Sequence, residues 1–418
     1  MPRGGLRLAL LWLAGNDLRL TLLAVPPVLP LIHRDLDLDE KGVAALAGLP
    51  VLLLGLAAVP GSLLIARIGA RRALLVGLCA IGVSSALRGV GPSAALLFAA
   101  TLGMGAGIAI SQPTFPALVR LWFPNAVTRA TGVWSNGLLV GEVLGASLTL
   151  PLVLPLVGSW EASFMFWSVP VLLTAALVAL GTPHVTAEAG FWRGAGIPDW
   201  RNGRMWLLAL FQSSASLIYV GANTFVPDYL HATEQADLVG PVLSSLNASQ
   251  LPASVVIGLV PLRVFGRRLT SLLVGVAILA SLVVVVVARG APVVVAAGVL
   301  GFCSAYILVL SLALPALLAR AGDVSRLAGG TFTITYSLAF LASLVAGAVW
   351  DATHQPVVAF LPVLLGGAIE MLLGPRLLRH THEGGGERNA VSHANDAGVD
   401  GDRAGRRCVG DGGTAGGR

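Results

Sequence analysis

Apolar runs long enough to cross a bilayer recur along this chain from residue 8 to residue 378. A spanning helix needs roughly 20 apolar residues, because the hydrocarbon core is about 30 Å thick and each helical residue rises about 1.5 Å. Cutting the sequence at its charge clusters leaves twelve such runs, at 8–32, 42–66, 73–88, 93–119, 130–157, 160–181, 204–227, 239–262, 269–288, 292–319, 327–350 and 357–378. Backbone N–H and C=O groups in lipid must find partners within the segment, so each run is predicted to be an α-helix. The fold class is therefore an all-α membrane protein with twelve transmembrane helices. Only 11% of residues are charged, less than half of the roughly 25% usual in soluble domains. That excludes a soluble enzyme with a charged surface. Arg3 and Arg7 precede the first run as in a leader peptide, but the run continues to Ile32 without a small-x-small cleavage site. It is read as a retained first helix.

The cations set the orientation. Arg67, Arg71, Arg72, Arg120, Arg129, Arg193, Arg201, Arg204, Arg263, Arg267, Arg268, Arg320 and Arg326 fall in one set of loops. With Arg3, Arg7, Arg376 and Arg379 that side holds 17 cations, against four (Arg34, Lys41, Arg88 and Arg289) assigned to the alternate loops. By the positive-inside rule both termini and the central loop are cytoplasmic, in a multi-pass protein of the cell (inner) membrane. The basic pI of 9.9 is this bias, and no basic stripe on a polar fold points to nucleic acid.

The two halves of the chain repeat each other. Gly61, Gly69, Arg71 and Arg72 recur as Gly258, Gly266, Arg267 and Arg268, the glycines offset by 197 residues. Arg129 and Gly132 recur as Arg326 and Gly329 at 197, and Gly103 matches Gly301 at 198. The near-constant offset predicts two six-helix pseudo-repeats, residues 1–181 and 204–379, joined by a cytoplasmic loop at 182–203. Residues 380–418, rich in glycine and without apolar periodicity, are expected to form a disordered cytoplasmic tail.

Two such halves resemble the major facilitator superfamily, whose parallel halves hold a site near the membrane midplane. The segment from Gly61 to Arg72 resembles that superfamily's loop between helices 2 and 3. Ala66-Arg67-Ile68-Gly69 stands where the loop usually has Asp-Arg-x-Gly, and the second copy, Arg263-Val-Phe-Gly266, also lacks the Asp. The resemblance implies gating roles for Gly61, Arg67, Gly69, Arg71, Arg129, Gly258, Gly266 and Arg326. Gly137-x-x-x-Gly141-x-x-x-Gly145 resembles the helix-5 motif and is expected to pack between the halves.

A narrower resemblance lies in Asp17-Leu-Arg19, Pro26-Pro27-Val-Leu-Pro30, Gly105–Gln112, Pro116–Pro124 and Gln212–Leu230. These segments are similar to the cyanate/2-nitroimidazole transporter family. Asp17 stands where that family has Asn, and Pro26 where it has Gly. The resemblance implies a secondary transporter of a small anion or small polar heteroaromatic compound, with helices 1, 4, 7 and 10 lining the cavity. Drug efflux by the same fold, or a transport-inactive receptor, are the alternative readings.

Charge inside a bilayer is costly and usually functional or paired. Arg19 lies about 18 Å along a helix from Arg7, and Glu142 about 20 Å from Arg129, both near mid-membrane depth. The face carrying Asn16 and Arg19 is assigned to the cavity, where a guanidinium suits a planar anion or carboxylate. Glu142, and after it Asp17, are candidates for proton coupling, with a structural partnership to Arg19 as the alternative for Glu142. Gln112, Gln212, Tyr219 and Asn223 form a second tier of substrate contacts, and Trp134 could stack on a flat ring. Glu370 is expected to reach water at the end of helix 12. Prolines 26, 27 and 30 must bend helix 1 near its outer end.

No nucleotide-binding loop is present and Lys41 is the lone lysine; no cofactor is expected. The seven histidines form no cluster along the sequence, so an enzyme is not expected either. Cys79 and Cys303 lie in apolar runs and read as small core residues. The expected partners are a small-molecule substrate, the lipid bilayer and protons, and the chain is expected to act as a monomer.

Overall fold

A computed structural model describes residues 2–38, 40–91, 93–182, 197–259, 267–319 and 323–377. The tail from residue 380 and the turn glycine Gly266 lie outside these residues, as does most of the central loop. Among the described residues, eleven helical stretches are long and apolar enough to cross a membrane. They form span 1 (Gly4–Leu36), span 3 (Ala70–Arg88), span 4 (Ala94–Trp122), span 5 (Val127–Val157) and span 6 (Trp160–Gly181) of the first half. The second half contains span 7 (Gly203–Ala232), span 8 (Ala236–Leu259), span 9 (Arg268–Val287), span 10 (Ala291–Leu318), span 11 (Val324–Thr353) and span 12 (Pro356–Leu377). Span 2 is two shorter helices, Glu40–Leu56 and Ala58–Ile68, meeting at Ala57. The twelve crossings thus match the twelve apolar runs.

Several spans are interrupted, and proline explains most of the breaks, since it has no N–H to give and its ring clashes with the preceding turn. Span 1 breaks at Ala24, directly before Pro26 and Pro27 occupy the first turn of Val25–Leu36. Span 4 breaks at Gln112-Pro113, between Ala94–Ser111 and Thr114–Trp122. Span 8 breaks at Ser249, between Val239–Ala248 and Gln250–Leu259. Pro252 cannot donate back to residue 248, so the ladder lacks a rung there.

The outer surface is apolar: Leu180, Leu259 and Val287 are each at least 75% exposed, as expected of side chains meeting lipid. Inside, one core gathers spans 1 to 6 and another spans 7 to 12. The first core continues into the second half through Leu312, Ala316, Ala328 and Phe332. This continuity lies on the arginine-rich face, where the halves are tightly closed. A Cβ on Gly132 of span 5 would stand 2.6 Å from Cα of Gly258 in span 8, so two backbones touch there. A Cβ on Gly329 of span 11 would stand 2.9 Å from the side chain of Ser62 in span 2.

Four expectations are corrected. Gly137, Gly141 and Gly145 do not pack between the halves: they let span 5 lie against the backbone of span 1 at Trp12, Asn16 and Leu20, within the first half. Arg88 is not a loop residue. It is 1% exposed, and its Nη2 donates to the Thr21 carbonyl and to Ser85 Oγ. Glu370 does not reach water: it is fully buried and accepts from Ser271 Oγ at 2.6 Å, because span 9 covers that face of span 12. Cys79 is exposed on the outside of span 3, whereas Cys303 is buried.

Candidate functional site

Between the halves lies a cavity of about 210 Å³. This is less than the roughly 300 Å³ at which drug-sized pockets begin. Its wall is drawn from spans 1, 2, 5, 7, 8, 10 and 11 and is mostly apolar, with Leu54, Leu138, Leu139, Leu308 and Phe340 among its members. Two residues on it carry formal charge, Arg19 from span 1 and Glu142 from span 5. The glycine contact between these two spans holds both charges in one half. Among the described residues, the second half contributes neutral groups, of which Ser216, Tyr219, Gln250, Ser304, Tyr336 and Ser343 are polar.

Arg19 is half-buried. Neither of the two salt bridges among the described residues includes it, and its charge acts on the Glu142 carboxylate across the cavity. Glu142 is itself buried and accepts a hydrogen bond from the Tyr219 hydroxyl of span 7, across the division between halves. The guanidinium therefore keeps donors available in an apolar chamber, where a charge-assisted bond is stronger than in water.

The remaining candidates fall into two groups. Gln112 lies behind the wall and donates from Nε2 to the Tyr336 hydroxyl at 2.7 Å, orienting that ring in the cavity. Asn223 lies one turn beyond Tyr219 and donates to its carbonyl at 2.9 Å. Asn16, Asp17, Gln212 and Trp134 are buried away from the cavity wall. Asn16 faces span 5 at Gly141, Asp17 faces Thr174 of span 6, and Trp134 stacks on Phe115 with ring centroids 4.5 Å apart.

Of the turn residues, Gly61 packs on the backbone of span 4 at Ala109 and Ile110. Gly69 has φ of +84°, a conformation that favours glycine, between spans 2 and 3. Arg71 binds the end of span 6, with Nε donating to Thr182 Oγ1 and Nη2 to the Ala179 carbonyl, each at 2.6 Å. Arg326 donates to the Ile197 carbonyl at 3.0 Å and pairs with Asp323 at 3.6 Å. Arg67 and Arg129 are exposed.

Sequence reasoning passed over Tyr336, Gln250 and Ser304 as wall residues. A search for polar residues on spans 8, 10 and 11 finds them, but which face they occupy depends on how the halves meet.

The amino-acid sequence matches the Major Facilitator Superfamily over residues 11–347. The chain belongs to that superfamily. It is a multi-pass membrane transporter, built as the superfamily's two six-helix halves. The cyanate transport protein CynX of Escherichia coli is 31% identical over 166 residues, which are 40% of this chain and 43% of that protein. The 2-nitroimidazole transporter of Escherichia coli is 29% identical over 218 residues, 51% of this chain and 55% of that one. The matched stretch spans about half the length of these two relatives. In fold the chain is similar to the crystal structure of the superfamily transporter FucP in the outward conformation. The TM-score is 0.70 at 14% identity, covering 89% of this chain and 98% of that one.

Proposed function

We propose that this transporter moves a small anion or small polar heteroaromatic solute, of the cyanate or nitroimidazole kind, across the cell membrane by alternating access. Arg19 is the ligand for the anion or nitro group, and Glu142 carries a coupled proton. The observation that supports this best is the pairing of one guanidinium and one carboxyl on a small cavity whose other described wall residues are uncharged and mostly apolar. Its volume favours a solute of few atoms over a bulky drug. The two relatives, a cyanate transport protein and a 2-nitroimidazole transporter, support the same substrate class. With both termini cytoplasmic, the closed arginine-rich face is the inner gate.

Uptake of labelled cyanate and of 2-nitroimidazole into proteoliposomes tests the reading. Arg19→Ala is expected to weaken cyanate binding by about thirtyfold or more, since losing one partner of a buried charged contact costs about 2–5 kcal/mol. Cyanate uptake at normal affinity in that variant would refute the site. Glu142→Gln is expected to remove the response of uptake to an imposed pH gradient.

A further inference from the structure

Tyr219 stands between two acceptors. Its hydroxyl contacts a carboxylate oxygen of Glu142 in span 5 and lies 3.0 Å from Oδ1 of Asn247 in span 8. A phenol has one hydrogen to donate. The amides behind it are pinned by main-chain carbonyls, which can only accept. Asn247 Nδ2 donates to the Leu243 carbonyl at 2.9 Å and to Asn223 Oδ1 at 3.0 Å, while Asn223 Nδ2 donates to the Tyr219 carbonyl at 2.9 Å. Asn247 must therefore present its oxygen to Tyr219.

The hydrogen count now depends on Glu142. With an ionised carboxylate, both neighbours of the hydroxyl accept, and only one of the two contacts can be a hydrogen bond at a time. With a proton on Glu142, the carboxyl donates to Tyr219, Tyr219 donates to Asn247, and both contacts are bonds. Protonation thus decides whether the hydroxyl hydrogen belongs to span 5 or to span 8.

Asn247 sits two residues before the break of span 8 at Ser249, and its Oδ1 also meets Gln250 Nε2, beyond the break, at 3.4 Å. The helix that follows, Gln250–Leu259, is part of the closure between the halves. Its Ser254 Oγ accepts from Asn136 of span 5 at 3.0 Å, and its Gly258 touches Gly132.

We propose that Asn247 is a positioning residue that passes the protonation state of Glu142, through Tyr219, to the break in span 8 and so to the inner closure. This rests on the proton role proposed for Glu142. The groups facing Glu142 are Arg19 from span 1 and Tyr219 from span 7, with Tyr336 from span 11 on the same wall. Spans 8 and 10 bring the neutral Gln250 and Ser304, and span 2 brings Leu54. Asp17 lies on another face of span 1, toward Thr174.

The test is hydrogen exchange of residues 239–259 in the full-length protein, in lipid nanodiscs, across a pH series, with thermal-shift binding of cyanate measured alongside. Wild type is expected to show a single pH step in the protection of residues 250–259. The step should be about fivefold, the change that one hydrogen bond of ordinary net strength makes. Glu142→Gln should flatten the step. Asn247→Leu should flatten it too while cyanate binding stays within about twofold of wild type, because Asn247 is not on the cavity wall. If Asn247→Leu does not fold, Asn247→Ser, too short to reach the Tyr219 hydroxyl, is expected to flatten it in the same way. A step that persists in the Asn247 variant but not in Glu142→Gln overturns the role of Asn247 and leaves the proton reading standing. A step that persists in Glu142→Gln overturns the proton reading itself. A wild-type protein with no step overturns the transmission to span 8.

Discussion

Arg88 ends span 3 with its guanidinium 4.3 Å from the centroid of the Phe164 ring. Its Nε and Nη1 have no hydrogen-bond partner, and no described salt bridge includes it. A permanent cation buried with so little compensation carries a desolvation cost of several kcal/mol. Arg88→Met keeps the length of the side chain and removes the charge without stranding a carboxylate. The variant is expected to unfold at the same or a higher temperature, by up to about 1–4 kcal/mol in stability, as read by thermal unfolding in detergent. A clear fall would show that the bonds to Thr21 and Ser85 and the ring contact outweigh the burial. The same residue shows what single-residue reading misses. A charge at the edge of an apolar run looks like a loop residue, and only the packing of spans 1 and 6 around it reveals burial. Glu370, inside the last run, is expected from the sequence to snorkel, and only the packing of span 9 on span 12 shows that it is buried. Arg19 and Glu142 could be singled out because they lie deep within runs, where no loop can claim them.

At the scale of elements, glycine spacing on span 5 was legible but its partner was not. Three glycines four residues apart say that a backbone comes close; they do not say which backbone. The structure assigns that ridge to span 1 and gives the contact between halves to Gly132 and Gly258. The two kinds of contact predict different mutant behaviour. Gly141→Ala drives a methyl into the Asn16 carbonyl inside a permanent interface and is expected to cost about 1–3 kcal/mol in thermal stability. Gly132→Ala meets Gly258 at the contact between the halves that the proposed alternating access would open, so the fold could escape the clash by separating the halves. It is expected to leave the unfolding temperature nearly unchanged while raising labelling of a cysteine placed at Ser254. Equal loss of stability in the two variants would contradict the distinction. The helix breaks divide similarly: proline forecasts that of span 1, while Pro113 and Pro252 account for those of spans 4 and 8 only once the structure shows them, and do not tell which side chains meet there.

At the scale of the whole molecule, the twelve crossings and the duplication were written in apolar run length and in the 197-residue repeat, because bilayer thickness allows few alternatives. The cavity was less legible. Arg19, Glu142 and Tyr219 come together on it, but Trp134, Asn16 and Gln212 turn into helix contacts, since a face can be assigned only when its neighbours are known. The weld between spans 1 and 5 has an electrical consequence. Both charges of the cavity wall ride on one half, and they sum to zero. An empty carrier that turns over therefore moves no net charge across the membrane field. A loaded one, with an anion on Arg19 and a proton on Glu142, again sums to zero. Each elementary charge moved through 100 mV would contribute about 2.3 kcal/mol, so an uncompensated cycle would respond steeply to voltage. Uptake of cyanate into proteoliposomes clamped at different potassium diffusion potentials is expected to proceed at one rate, driven by the proton gradient and indifferent to the membrane voltage.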